Sequence, residues 1–183
     1  MGYTHYYYVP KEFNSDLFAK VVTDFKKILP EILNVKVNEN AISLTSYSEN
    51  DDIKIKIVDG HGKVDSKPEI TNDIICFNGS TKNSHETFIL ERKRKSSEYD
   101  QEDKGKFFEF CKTARKPYDL AVCTVLIIAK NHFNDNILVR SDGEINDEWV
   151  FAKKFVQRHL GYGKDFVLDE FEKEAHGYEE DSS

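Results

Sequence analysis

The sequence predicts an α+β fold in a single domain over residues 1–175. A mainly antiparallel sheet packs against a buried central helix at about 117–133 and two amphipathic helices at about 15–33 and 144–160. Three observations predict it. No charged residue occurs from Leu120 to Ala129, and a helix that is apolar on every face must be buried. A series of short β-prone runs, punctuated by turn residues, fills the chain before that helix. A length of 183 residues suits one core, since a split would leave two marginal halves. The acidic end, residues 176–183, is expected to be a flexible tail.

The elements follow in order. Tyr3 to Val9 is aromatic and β-prone, and Pro10 stops it. Asn14, Ser15 and Asp16 offer caps to a helix whose apolar residues Leu17, Phe18, Val21, Val22, Phe25, Ile28 and Leu29 recur at helical spacing; it ends near residues 30–34. Short strands are expected at Ile42 to Thr45, Ile53 to Val58, Ile74 to Asn78, Thr87 to Leu90 and Phe107 to Phe110. The polar stretch Lys93 to Lys106 reads as a long loop. Pro117 stands where a helix favours its first residue, and the pattern continues to Phe133. A strand at Ile137 to Arg140 leads to the turn Ser141–Glu144. A last amphipathic helix then carries Trp149, Val150, Ala152, Phe155, Val156 and Leu160 inward, and Asp165 to Glu174 could add a short helix.

Composition narrows the function classes. A net charge of -7 excludes a protein that coats nucleic acid generally, because that binding rests on clustered cations neutralising phosphates. Cys76, Cys111 and Cys123 form no CxxC pair and no even-numbered framework, which points to reduced thiols and a cytoplasmic setting. The longest apolar run is about half of what a membrane span needs, so no membrane association is expected. The N-terminus lacks the pattern of a signal peptide.

The segment from Phe110 to Asp119, FCKTARKPYD, is the leading candidate site. Lys112, Arg115 and Lys116 crowd the start of the buried helix, where the macrodipole opposes cations. A bound anion would reverse that sign, gathering backbone amides, dipole and side chains onto one point. Internal carboxylates paired with the same cations would also resolve it. Cys111 in this setting is either an activated thiol or, more simply, a core cysteine. Tyr118 and Asp119 fall in the first helical turn, where Asp119 suits capping. His5 on the first strand, and His85 with Glu86 at a strand entrance, are candidates for acid–base work. With Asp142, the two histidines compose a possible two-histidine, one-carboxylate metal set, although no ligand spacing supports it. Glu91-Arg92-Lys93 with Asp73 faintly matches the Glu-x-Lys pattern of restriction-type nucleases, a match too short to carry weight.

Several blocks together, Gly2–Tyr6 (GYTHY), Phe77–Gly79 (FNG), His85–Phe88 (HETF), Phe108–Asp119 and Ser141–Gly143 with Trp149, resemble an uncharacterised, mainly bacterial protein family of about this length. Tyr7 replaces the Trp that the first block favours. The resemblance implies that His5, His85, Glu86, the cationic helix entry and Asp142 recur as one set, but it implies no settled activity and no cofactor. The expected function is binding or processing of a small anionic ligand, a nucleotide or phosphate ester. Catalytic work would fall to His5, His85 and Glu86, and ligand contacts to Lys112, Arg115, Lys116, Tyr118, Asp119 and Asp142. The alternatives are a non-catalytic module that engages a protein partner and a metal-dependent hydrolase or nuclease.

Overall fold

The computed structural model describes residues 2–37, 53–95, 102–103 and 105–170. Its main sheet is built from four strands: β1 (Thr4–Pro10), β8 (Glu102–Asp103), β9 (Lys106–Lys112) and β10 (Leu138–Ser141). Their order across the sheet is β10-β1-β9-β8, and every pairing is antiparallel. The two central helices, α1 (Ser15–Asn34) and α2 (Asp119–Phe133), connect these strands in a β-α-β-β-α-β sequence. Between α1 and β8 the chain inserts β2 (Lys36–Val37), β3 (Ile53–Lys54), β4 (Ile57–Val58), β5 (Glu69–Ile70), β6 (Ile74–Gly79) and β7 (Phe88–Glu91). Strand β6 is the hub of a second antiparallel sheet, pairing with β4, β5 and β7. A third helix, α3 (Val150–Leu160), closes the structure against α2.

Local chemistry explains the main elements. The Asn14 side chain accepts from the amides of Asp16 and Leu17 at 3.0 and 3.1 Å, filling two of the helix's open donors. The inner face of α1 buries Phe18, Val21, Val22, Phe25, Ile28 and Ile32. As expected from its lack of charge, α2 is buried on all sides from Asp119 to Ala129. Stacked rings tie the layers together: Phe13 on Phe133 at 4.0 Å between centroids, and Phe25 on Phe77 at 5.7 Å. Each such ring contributes roughly 1.5–3 kcal/mol by leaving water.

Several boundaries differ from expectation. Helix α2 begins two residues after Pro117, because Lys116 to Tyr118 form a tight turn in which the Asp119 amide bonds the Lys116 carbonyl at 2.9 Å. Helix α3 begins at Val150 rather than 144: residues 144–149 make successive turns back onto the Glu144 carbonyl. The strand expected over Ile53 to Val58 is two short strands in different sheets. Within Lys93 to Lys106, Lys93 bridges to Glu12 and β8 pairs with β9; the remainder lies largely outside the described residues. Residues 165–170 form no helix. Instead the Asp169 amide bonds the Val139 carbonyl at 2.8 Å along the edge of β10. The expected strand Ile42 to Thr45 and the acidic tail fall outside the described residues.

Alternation along the main sheet divides its two faces. Tyr3, just before β1, and His5, Tyr7 and Val9 within it are buried in the core with Cys111 of β9. Tyr6 and Tyr8 point the other way, opposite Phe110 and Phe108 in register. Phe108 lies within ring-contact range of Tyr6, Tyr8 and Phe110, at 5.4 to 6.1 Å between centroids, and Phe110 is 51% exposed.

Candidate functional site

The entry to α2 is held by an unusual turn. Ala114 and Arg115 have φ of +51° and +56°, and the Lys116 amide bonds the Thr113 carbonyl at 3.0 Å, the signature of a type I′ turn. Such positions usually fall to Asn and Gly, since a left-handed residue with a Cβ costs roughly 1–2 kcal/mol. Neighbouring contacts hold the turn in place. The Ala114 amide extends the β1–β9 ladder to the Tyr3 carbonyl at 3.1 Å. The Arg115 guanidinium lies 4.3 Å above the Tyr3 ring and donates to Glu148 at 3.0 Å.

Beneath this turn lies a buried chain of polar side chains. His5 Nε2 meets Asp119 Oδ1 at 2.8 Å, with the two side chains 0% and 1% exposed. The Thr113 hydroxyl donates to the same carboxylate oxygen. His5 Nδ1 contacts Ser141 Oγ at 3.0 Å, because Ser141 stands opposite His5 in the β1–β10 register. Cys123, one turn along α2 from Asp119, places its sulfur 3.6 Å from both His5 Nε2 and Asp119 Oδ2. Tyr3 and Trp149 wall the imidazole edge-on at 5.0 Å each. Buried polar groups must find partners inside, and this cluster satisfies its own members while leaving Trp149 Nε1 beside it without one. His5, Asp119 and Cys123 are also the group of described residues whose ligand atoms converge closely enough to hold a metal ion.

The residues singled out in the sequence divide into three layers. His5, Tyr118 and Asp119 are buried, so none of them faces a ligand at the surface in this conformation. Tyr118 donates to the Glu86 carbonyl at 2.6 Å. Glu86 works as a brace: its carboxylate accepts from the Lys112 amide at 2.7 Å, and its own amide bonds the Lys112 carbonyl at 3.2 Å. His85 is exposed on the preceding loop, its backbone held by the Asn78 side chain at 2.9 and 3.1 Å. Asp142 binds the Thr4 amide at 2.9 Å and the Tyr6 hydroxyl at 3.0 Å, on the outer face of the sheet. The metal set of His5, His85 and Asp142 is therefore not assembled: one member is enclosed and two are exposed. Of the Glu91-x-Lys93 pattern with Asp73, Lys93 pairs with Glu12 at 3.4 Å and Asp73 is taken by Arg92, which bridges Asp73 and Glu12 at 2.8 and 2.9 Å.

The cations are equally divided. Arg115 is spent on Tyr3 and Glu148, the internal-carboxylate arrangement. Glu148 is pushed up by burial, but the Glu144 amide and Arg115 outweigh this and hold it below the usual carboxylate range. Lys116 donates to the Lys82 carbonyl at 2.9 Å, and the Lys112 ammonium lies beside Gly2. Burial, then the charge of Asp119, pushes the Cys111 thiol well up. Its sulfur faces the Glu86 carbonyl at 3.5 Å, the environment of a core cysteine rather than an activated one. Concavities lined by described residues include one of about 530 Å³ between α2 and residues 161–166, one of about 180 Å³ at Tyr7 and Glu109, and one of about 370 Å³ along α3. None of the three includes a residue of the helix entry.

Sequence reasoning missed Ser141, Thr113, Cys123 and Glu148 as partners. The one available signal was Asp119-x3-Cys123, a spacing that puts both side chains on one helix face. Compared with family models, curated proteins and solved structures, the chain matches none.

Proposed function

We propose that this protein binds a nucleotide or related phosphate ester on the outer face of the main sheet where it meets the entry of α2. The observation that carries this reading is the placement of Phe110, 51% exposed, two residues from Lys112 on the same strand face. That spacing corresponds to about 7 Å along a strand, the scale of a base and its first phosphate. The Tyr6, Phe108 and Phe110 rings supply a stacking platform, and stacking a base on an aromatic side chain contributes roughly 1–3 kcal/mol. Lys112 and Lys116 supply the anion contacts at the helix N-terminus. Arg115 holds Tyr3 and the turn in shape. His85, exposed on the loop braced through Glu86, is the group available for acid–base work; His5, being enclosed, supports the site from below.

Calorimetric titration and thermal shift with nucleoside mono-, di- and triphosphates and with inorganic phosphate test this. Nucleotides should raise the melting temperature and bind more tightly than phosphate alone. Phe110→Ala should weaken the nucleotide by roughly tenfold or more and leave phosphate unchanged, while Lys112→Ala with Lys116→Ala should weaken both. The reading fails if no nucleotide or phosphate binds, or if binding survives these changes.

A second reading, a non-catalytic protein-interaction module, is favoured by the Arg115–Glu148 pair, which removes one of the three cations from ligand duty. On that reading Phe110→Ala abolishes capture of a protein partner and no nucleotide titration shows heat.

A further inference from the structure

We infer that His5, Asp119 and Cys123 form a buried site for a divalent transition-metal ion of the zinc class. This goes beyond the nucleotide reading and does not depend on it. The three donors come from two elements, His5 from the centre of the sheet and Asp119 with Cys123 from one face of α2. All three are fully or almost fully enclosed. An imidazole nitrogen, a carboxylate oxygen and a thiolate sulfur are the ligand types that zinc takes.

The distances fit. Bond lengths of about 2.0–2.1 Å to nitrogen, 2.0–2.2 Å to oxygen and 2.3 Å to sulfur put tetrahedral ligand atoms about 3.3–3.6 Å apart. The sulfur stands 3.6 Å from His5 Nε2 and 3.6 Å from Asp119 Oδ2. The nitrogen meets the other carboxylate oxygen, Oδ1, at 2.8 Å, so the carboxylate has to turn to present one oxygen and that pair has to open by about half an ångström to admit the ion.

The surroundings match what orients metal ligands. A ligating histidine fixes its free nitrogen through an outer partner, and here Ser141 Oγ holds Nδ1 at 3.0 Å, turning Nε2 toward Asp119 and Cys123. The Thr113 hydroxyl plays the same part for the Asp119 carboxylate. Charge balances too: one thiolate, one carboxylate and a neutral imidazole cancel a divalent ion, so the occupied site carries no net charge into the core. Beside it, edge-on to His5, the Tyr3 ring is 99% enclosed, with its hydroxyl turned toward Ser141 and Gly143. A fourth ligand, a water, completes the tetrahedron.

The full chain, expressed in medium supplemented with zinc or cobalt and purified without chelator, should carry one metal ion per chain by elemental analysis. The cobalt form should show tetrahedral d–d bands and a thiolate-to-metal charge-transfer band. Cys123→Ser should abolish that band and Asp119→Asn should lower the stoichiometry several-fold. Because Cys123→Ser could fail to fold, the double variant Cys76→Ser/Cys111→Ser decides the assignment independently: it should keep the band, which Cys123 alone can then supply. The inference is overturned if the wild-type chain, expressed in metal and also refolded with excess zinc, holds no stoichiometric ion. It is equally overturned if the band is lost in the double variant.

Discussion

Replacing Asp119 by Asn tests whether the buried chain under the helix entry is held together by charge. In the structure the carboxylate takes a bond from His5 at 2.8 Å and another from the Thr113 hydroxyl, both on one oxygen, and meets Cys123 on the other. Asn keeps the shape and one carbonyl oxygen but loses the charge. Bonds to a charged acceptor contribute about 1.5–3 kcal/mol each and neutral ones about 0.5–1.5, so two weakened bonds amount to roughly 2–3 kcal/mol. Ala removes every partner and strands His5 and Thr113 in the core, which costs about 3–5 kcal/mol. For a domain near this size each kcal/mol lowers the melting temperature by about 2–4 °C, so Asn should lower it by about 4–12 °C and Ala by about 6–20 °C. Thermal and urea denaturation at neutral pH on metal-free protein measure the melting temperatures and free energies of both. A double-mutant cycle with Thr113→Val should show coupling of roughly 0.5–3 kcal/mol. A melting temperature for Asp119→Asn within about one degree of wild type would refute the reasoning, as would strict additivity with Thr113→Val.

Three further outcomes follow from particular contacts. Gly143→Ala would place a Cβ 2.5 Å from the Tyr3 hydroxyl and 2.7 Å from its ring; because Tyr3 is enclosed beneath Arg115, the change should destabilise by roughly 1–3 kcal/mol, read by denaturation, while Tyr3→Phe in the same background should recover part of the loss. Thiol labelling at pH 8 should modify the half-buried Cys76 first and reach Cys111 and Cys123 only on unfolding, since burial shields both and pushes their thiols up; mass spectrometry of partially labelled protein checks the order, and early labelling of Cys111 would contradict it. Glu148 is held below the ordinary carboxylate range in the folded chain, so its contribution is complete above the unfolded carboxylate pKa and fades as pH falls through the lower folded value; the stability difference between wild type and Glu148→Gln should therefore shrink on acidification below about pH 4.5, and a difference that grows would reverse the assignment.

The fold was legible where burial alone decides. The uncharged run Leu120–Ala129 announces a helix with no wet face, and the capped, periodic segment after Asn14 announces another. What could not be read were features set by pairing across the chain. Ser141 reaches His5 only through the β1–β10 register, and Glu148 reaches Arg115 only because the turns of 144–149 delay α3. The left-handed Ala114–Arg115 turn was invisible because its residues are not those a type I′ turn favours; tertiary contacts to Tyr3 and Glu148 override local preference. The same logic misassigned His5 to an accessible site: strand alternation alone leaves open which face is covered until the second element, here α2, is placed.

The cationic entry of α2 becomes intelligible once its charges are separated by depth. Three carboxylates are built into the entry itself: Asp119 in the first turn, Glu148 on Arg115, and Glu86 on the Lys112 amide. Asp119 sets a negative charge in the first turn without capping an α2 amide, and Glu148 pairs the Arg115 cation, so the fold needs no external anion to be comfortable there. Lys112 and Lys116 are different. Their backbones are fixed by the strand end and the turn, but their ammonium groups reach Gly2 and the Lys82 carbonyl, contacts that do not neutralise them. Inner and outer layers should therefore separate under mutation. Changes to Asp119, Glu148 or Arg115 should move stability, whereas changes to Lys112, Lys116 and Phe110 should move ligand binding with stability within about 0.5 kcal/mol of wild type. If the outer lysines turn out to carry stability while ligand titrations stay flat, the entry is a structural joint and nothing more.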